Sequence, residues 1–101
     1  TYHDPLLIQA TPVDNNWKNL DWFGYYYQTD GGWIYHEYFG WIYPAGNGSY
    51  DNWFWFPERG WIWTCKELFP YMWSHRDQTW LWYDRRQNLF YDFNRQVYEE
   101  Q

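Results

Sequence analysis

The stretch FGYYYQTDGGWIYHEYFGWIY, from Phe23 to Tyr43, contains the pattern that decides the fold. Its large rings come in short runs, and the turn-forming segment Thr29-Asp30-Gly31-Gly32 divides them. Trp, Tyr, Phe and Ile favour β-strands, whereas Asp-Gly and Gly-Gly pairs favour tight hairpin turns. The stretch therefore predicts a hairpin, with Phe39-Gly40 opening the strand that follows it.

Similar short runs continue to the end of the chain, and turn residues separate each run from the next. Their starts are about 8–12 residues apart, a spacing typical of antiparallel sheets. We therefore predict an all-β domain, an antiparallel meander of about eight short strands that forms a twisted sheet, a small sandwich or a barrel with an aromatic core. The predicted strands are Trp22–Gln28, Trp33–His36, Trp41–Tyr43, Trp53–Phe56, Trp61–Thr64, Tyr71–Ser74, Trp80–Tyr83 and Leu89–Phe93.

An internal repeat supports this meander. Three segments begin with Phe, then Gly or Pro, then aromatic residues: FGYYY at 23–27, FGWIY at 39–43 and FPYMW at 69–73. Each is followed by a turn and a strand that begins with Trp. Because one such hairpin cannot bury its rings alone, the units are expected to stack side by side into one sheet.

Alternation along the strands predicts two different faces. In three strands the large rings share one face and an aliphatic residue points to the other, namely Ile34, Ile62 or Leu81. A sheet with one solvated face would carry polar residues at alternate positions, and these strands do not, so both faces are expected to be covered. We expect some tryptophans, such as Trp61, to point inward and contribute to the core.

The first 20 residues differ from the rest and are predicted to form an extended arm or linker, followed by the aromatic-rich β-repeat domain at 21–101. Their compact aliphatic segment, with Leu6, Leu7 and Ile8, lies between Pro5 and Pro12. Prolines prevent such a segment from extending into a long strand. We expect these three residues to act as an assembly arm that adds a strand to a neighbour's sheet.

Composition limits the classes of function. The 101 residues suit one domain, but 30% of them are aromatic, with 11 Trp, 12 Tyr and 7 Phe. A domain this small buries only about 60–65% of its unfolded surface, so some rings must be exposed or covered by a partner. The net charge of −6 argues against nucleic acid and anionic membranes as partners. No apolar run approaches the ~20 residues of a membrane-spanning helix.

Nothing in the sequence indicates an enzyme. The imidazoles are His3, His36 and His75, and of these His75 could meet Asp77 across a turn. A catalytic triad also needs a nucleophile, and only Ser49, in a Gly-rich turn, and Ser74 offer a hydroxymethyl group. The sole cysteine, Cys65, excludes an intrachain disulfide and a cysteine-based zinc site, and is expected to be a small buried residue. Loop oxygens at Asp30, Asn47 and Asp51 lack the density of a calcium loop, so we predict no catalytic, cofactor or metal residue.

The order of the aromatic segments resembles an aromatic-rich C-terminal domain of large secreted or surface proteins from marine Verrucomicrobia- and Planctomycetes-like bacteria. The resemblance spans about Trp17 to Tyr98 and rests on WFGYYY, GWIYHEYFGWIY, WFWFPERGWIWT, LFPYMWS, WLWYD and LFYDFN, in that order. It implies a surface-exposed, non-catalytic module near a C-terminus. The chain is also similar, more weakly, to Gly-Trp cell-wall-binding repeats, although their fixed period is absent.

Two functions fit these observations. The first is an extracellular or cell-surface assembly module that self-associates through its aromatic faces and its N-terminal arm, because large apolar patches and Tyr or Trp mark interfaces. Head-to-tail repetition of such a contact would produce a filament. The alternative is a carbohydrate-binding module whose indoles form platforms for polysaccharide, with Asn52 and Asp84 as polar rims. The platform residues would be Trp33, Trp61, Trp63, Trp80 and Trp82.

Overall fold

A computed structural model describes residues 10–46 and 52–100, which form a single antiparallel sheet. Each strand pairs with the next along the chain, so the spatial order is the sequence order from β1 to β11. The predicted all-β class is confirmed. The strands are β1 (Thr11–Asp14), β2 (Trp17–Leu20), β3 (Gly24–Gln28), β4 (Ile34–His36), β5 (Gly40–Gly46), β6 (Asn52–Phe56), β7 (Gly60–Thr64), β8 (Tyr71–Ser74), β9 (Thr79–Asp84), β10 (Leu89–Asp92) and β11 (Val97–Glu100).

The eight predicted strands correspond to β3–β10, and three further strands lie outside the aromatic runs. Strands β1 and β2 join through a tight turn in which Asn15 and Asn16 have φ of 50° and 70°, a conformation that Asn tolerates. The second half of the predicted arm, from Thr11 to Leu20, is therefore part of the sheet. The predicted arm residues Leu6, Leu7 and Ile8 lie outside the described residues.

The two faces of the sheet carry different aromatic residues. All eleven tryptophans lie among the described residues, and none of them is buried. The core instead contains phenylalanines such as Phe54 and Phe90, together with Ile34, Ile62 and Leu81. The expectation that Trp61 points inward is wrong: its neighbour Ile62 is fully buried, and alternation places Trp61 on the other face, opposite Trp55.

The sheet coils so that its inner face covers itself. A flat single sheet would be only about 10 Å thick, whereas this domain measures 40 × 25 × 24 Å. Inner rings from distant strands meet: the centroids of Phe23 and Phe54 are 4.8 Å apart, and those of Phe39 and Phe90 are 5.9 Å apart. The sheet is nevertheless open, because β1 and β11 do not pair with each other.

The phenylalanines that begin the three repeat segments pack against one another. The ring centroid of Phe23 lies 6.0 Å from that of Phe39 and 5.5 Å from that of Phe69, and Phe39 and Phe69 are 6.3 Å apart. Phe23 and Phe39 end turns between strands, and Phe69 ends the loop before β8. The repeat therefore brings three loops to one point in the core.

Most hairpin turns end in a residue with left-handed backbone, directly before the next strand or as its first residue. Glycine occupies this position at Gly40 and Gly60, the first residues of β5 and β7, with φ of 72° and 82°. Later turns place Gln78, Asn88 and Gln96 there, with φ of 53°, 58° and 60°. Glutamine carries a Cβ that disfavours this region, so these later turns retain local strain.

A side chain at the start of each of several turns accepts the free backbone N–H groups inside it. Asp92 Oδ1 accepts the N–H groups of Asn94 at 2.8 Å and Arg95 at 3.0 Å. Asp84 and Ser74 do the same for Arg86 and Asp77 in their turns. These bonds satisfy backbone donors that the sheet ladder leaves unpaired, and they fix the turn geometry.

Removing a repeat phenylalanine is expected to destabilise the domain strongly. The substitution Phe39→Ala leaves a cavity beside Phe56, Tyr83 and Phe90 and should lower the free energy of unfolding by about 3–5 kcal/mol. The control Trp41→Ala, two residues away on the outer face and 49% exposed, should cost about 1 kcal/mol. Urea unfolding checks both, and equal losses would contradict the assignment of the two faces.

Relieving the left-handed strain at Gln96 is expected to stabilise the domain. The substitution Gln96→Gly removes the Cβ at φ 60° and should raise the free energy of unfolding by about 0.5–1 kcal/mol. The same substitution at Gln28, a β3 residue, should lower it by about 0.5–1 kcal/mol, because glycine weakens a strand. Thermal melts of the two variants should therefore shift in opposite directions.

Candidate functional site

The outer face of the sheet carries rows of rings that cross several strands. Trp63 pairs in register with Trp53 on one side and with Trp73 on the other, and Trp73 in turn pairs with Trp80. This row runs without interruption from β6 to β9. A second row crosses β8–β11 and consists of Tyr71, Trp82, Tyr91 and Tyr98. We call the surface that these two rows form, together with Trp41, Trp55 and Trp61, the outer aromatic face.

Neighbouring rings on this face pack edge to face. The centroids of Trp55 and Trp61 are 5.5 Å apart with planes at 67°, and those of Trp73 and Trp80 are 5.4 Å apart at 65°. Each such pair contributes about 0.5–1.5 kcal/mol beyond area burial. The rings consequently cover one another in part: Trp61 is 36% exposed and Trp80 is 39% exposed.

The five predicted platform tryptophans all lie toward the outer side, but they do not form one group. Trp63 and Trp80 are brought together, with centroids 6.5 Å apart. Trp61 packs against Trp55, Trp33 packs edge-on against Tyr43 at 5.4 Å, and Trp82 borders a groove at the end of the sheet. The structure thus distributes these residues over four places.

The predicted polar rims are corrected by the structure. Asn52 is 1% exposed and Asp84 is 5% exposed, so neither lies on an open surface. Asp84 instead closes its own turn by accepting the Gln87 side-chain amide at 2.8 Å and the Arg86 N–H at 3.0 Å. These hydrogen bonds hold the pKa of the Asp84 carboxyl below its usual value. The bond from the Gln87 side chain has the largest effect, and the backbone N–H groups of Arg86 and Gln87 add to it.

One open depression lies on the outer aromatic face. It has a volume of about 370 Å³, is almost entirely apolar and is lined by Ala45, Trp53, Trp61 and His75. The His75 ring stands edge-on to Trp53 at 6.1 Å. Since its lining offers almost no hydrogen-bonding group, this depression suits contact with another apolar surface.

A second concavity, which we call the end groove, lies where three loops meet. The β2–β3 turn contributes Trp22, the loop before β8 contributes Phe69 and Pro70, and the end of β9 with the turn after it contributes the rest of the lining. Its volume is about 380 Å³. The residues from β9 onward are Trp82, Tyr83, Asp84, Arg85 and Arg86. Sequence reasoning missed this groove, although Arg85-Arg86 is the only adjacent basic pair in the chain.

His36 is the last residue of β4, and its buried side chain binds the backbone of the turns beside it. Its Nδ1 accepts the Tyr38 N–H at 3.1 Å, and its Nε2–H donates to the Phe23 carbonyl at 2.9 Å. Its ring lies 4.2 Å from the Phe23 ring and 4.7 Å from the Phe39 ring. Both nitrogens are engaged as in a neutral imidazole, and burial lowers the pKa of His36 to about 4.

The other residues considered for chemistry also have structural roles. The Ser74 hydroxyl is buried and accepts the Asp77 N–H at 3.2 Å. Arg76 binds the Asp77 carboxylate at 3.0 Å, which holds the pKa of that carboxyl below its usual value. Within residues 10–46 and 52–100, no three His, Cys, Asp or Glu side chains form a group able to hold a metal ion. Asn47, Ser49 and Asp51 lie outside the described residues.

Arg59 connects the last strand to the middle of the chain. Its guanidinium donates to Glu99 Oε1 at 3.1 Å and to the Glu100 carbonyl at 2.7 Å. It also lies 4.6 Å from the centre of the Phe90 ring. Because Arg59 sits in the β6–β7 turn, these contacts fasten β11 across the coil of the sheet.

The free energy of unfolding is expected to decrease as the pH falls, because His36 binds a proton more readily in the unfolded chain than in the folded domain. The folded pKa of about 4 lies below the ordinary value of about 6.5, so the unfolded state binds more protons as the pH falls through this window. The contribution of neutral His36 to the free energy of unfolding is fully present above pH ~6.5. About 2 kcal/mol of this contribution should be lost as the pH falls from ~7.5 to ~5.

Urea unfolding of the wild type and of His36→Asn at these two pH values tests this. Asn retains an acceptor for the turn N–H groups but does not titrate. The variant should be less stable at the higher pH and should lack the His36 contribution to the pH dependence. Identical pH dependence in the two proteins would show that His36 titrates normally in the fold.

Two further findings concern the class of protein. No helix among the described residues is long and apolar enough to cross a membrane. Comparisons with protein-family models, with curated proteins and with solved structures found no match.

Proposed function

We propose that this domain is a non-catalytic structural module, extracellular or on a cell surface, that associates with further copies of itself. The observation that carries the proposal is the open sheet. Strands β1 and β11 each have one strand neighbour among the described residues, and they lie at opposite ends of the strand order. Unpaired sheet edges are ready templates for pairing with another chain.

The two edges differ, which favours a head-to-tail contact. The segment that contains Leu6, Leu7 and Ile8 leads directly into β1. At the other end, Val97 and Tyr98 of β11 are 45% and 50% exposed. Addition of the arm of one copy to the β11 edge of the next would be strand addition of a known kind. Such a contact joins two different surfaces, and it generates a filament unless the rotation between copies closes a ring.

The outer aromatic face supplies a second surface for association. Six of its eleven rings are one-third to one-half exposed, for example Trp41 at 49% and Tyr71 at 47%, and the other five are half-buried. Contiguous apolar patches of this kind mark interaction surfaces. A neighbouring copy that covers the depression beside Trp53 would remove apolar surface from water at about 25 cal/mol per Å².

The alternative of a carbohydrate platform on this face is less well supported. A sugar ring stacks on the flat face of an indole, whereas neighbouring indoles here stand at 65–67° to each other across strands. The platform residues are also divided among separate contacts. Association through edges and through a shared apolar surface does not require coplanar rings.

Removal of the arm should abolish assembly. We expect wild-type protein to form a series of oligomers in light scattering coupled to size-exclusion chromatography, and a variant lacking residues 1–9 to be a monomer with an unchanged thermal melt. The deletion stops before Ala10, which packs against the core, and before β1 begins at Thr11. As a matched control, deletion of residues 1–4 keeps the aliphatic segment and should keep the oligomers. A wild type that is monomeric at every concentration, or a deletion that assembles normally, would refute strand addition by the arm.

A further inference from the structure

We propose that the end groove binds an anionic sugar unit of an acidic polysaccharide. The groove is lined by Trp22 and Trp82, which are half-buried, and by Arg85 and Arg86, which are exposed. Its volume of about 380 Å³ lies in the usual range of ligand sites, about 300–1,000 Å³. This site lies at the loop end of the sheet: none of its lining residues belongs to β1 or β11, and it shares Trp82 with the outer aromatic face.

The two groove arginines differ from the other arginines. Arg59, Arg76 and Arg95 each form an ion pair with a carboxylate at 3.0–3.1 Å. Across residues 10–46 and 52–100, no ion pair involves Arg85 or Arg86, and both are exposed. In a chain with a net charge of −6, this leaves two adjacent cations beside one groove. A guanidinium binds a carboxylate or a sulfate through paired hydrogen bonds.

The carboxylate in the lining is engaged by its own turn. Asp84 is 5% exposed, and its oxygens already accept the Arg86 N–H and the Gln87 amide. Arg85 is also positioned, because its guanidinium carbon lies 5.3 Å from the centre of the Tyr38 ring. A cation over an aromatic ring is held by the charge distribution of the ring and keeps its N–H groups for a ligand.

The aromatic part of the lining favours a sugar over other anions. Trp22 packs edge-on against Phe69 at 5.8 Å, and with Trp82 it gives the groove apolar walls. A pyranose ring offers an apolar C–H surface to such walls, while its charged group reaches the arginines. A nucleic acid would bring one phosphate per nucleotide against a net charge of −6 and would require a continuous basic track rather than two cations.

Titration of the full chain with three oligosaccharides of equal length tests the proposal. The probes are a galacturonate oligomer, a sulfated galactose oligomer and a neutral galactose oligomer, followed by calorimetry. We expect binding of at least one anionic probe and an about tenfold or greater loss with Arg85→Gln and with Arg86→Gln, since a charged hydrogen bond contributes about 1.5–3 kcal/mol. The matched control Arg95→Gln removes the same charge outside the groove and should bind as the wild type does.

The two anionic probes distinguish a carboxylate from a sulfate as the bound group, and binding of either supports the site. Absence of binding to both would overturn it, as would equal binding of the neutral probe. Equal losses in Arg85→Gln, Arg86→Gln and Arg95→Gln would also overturn it, because they would reduce the effect to net charge. Oligomeric state measured on the same samples separates this result from the assembly proposal.

Discussion

The contact between Phe23, Phe39 and Phe69 is the interaction on which the rest of the fold depends. A single sheet has no second layer to cover its apolar face, so the inner face must meet itself. The three rings come from three different loops, yet their centroids lie within 5.5–6.3 Å of one another. They hold the inner face of the coiled sheet together, although the two edge strands β1 and β11 do not pair with each other. The neutral His36 ring, which contacts Phe23 and Phe39, belongs to the same cluster.

The coil divides the aromatic residues by type. Phenylalanine has no polar atom and fills the inside, whereas an indole carries an N–H that needs a partner when it is buried. Placing all eleven tryptophans outside or at the boundary avoids that need. The outer rings then reduce their own exposure by packing edge to face across strands, which explains how one small domain holds so many rings. Edges, outer face and end groove remain as three surfaces on one scaffold, and the last two share Trp82.

Alternation and turn chemistry were sufficient to predict eight of the strands and the aliphatic positions of the core. They did not predict β1, β2 and β11, whose sequences TPVD, WKNL and VYEE lack aromatic runs and are held by pairing with a neighbour. Nor did they predict which rings face inward. Alternation along a strand divides the side chains between two faces, but it does not show which of the two faces is buried. Nothing in the local sequence indicates the left-handed backbone of Gln96, although this residue ends its turn as Gly40 and Gly60 end theirs. The end groove joins residues more than 60 positions apart, a proximity that local patterns do not contain.

The indole pairs also determine how the domain responds to light. Electronic transitions of two indoles only 5.4–5.5 Å apart couple to each other, and the coupled pair rotates polarised light strongly. The far-ultraviolet dichroism of this protein therefore combines indole bands with the bands of the strands, and the spectrum as a whole differs from that of an ordinary β-protein. Since no tryptophan is buried, these bands and the indole emission come from the surface of the domain. The coupled pairs join β6 to β7 and β8 to β9, so the optical signal reports the pairing of these strands.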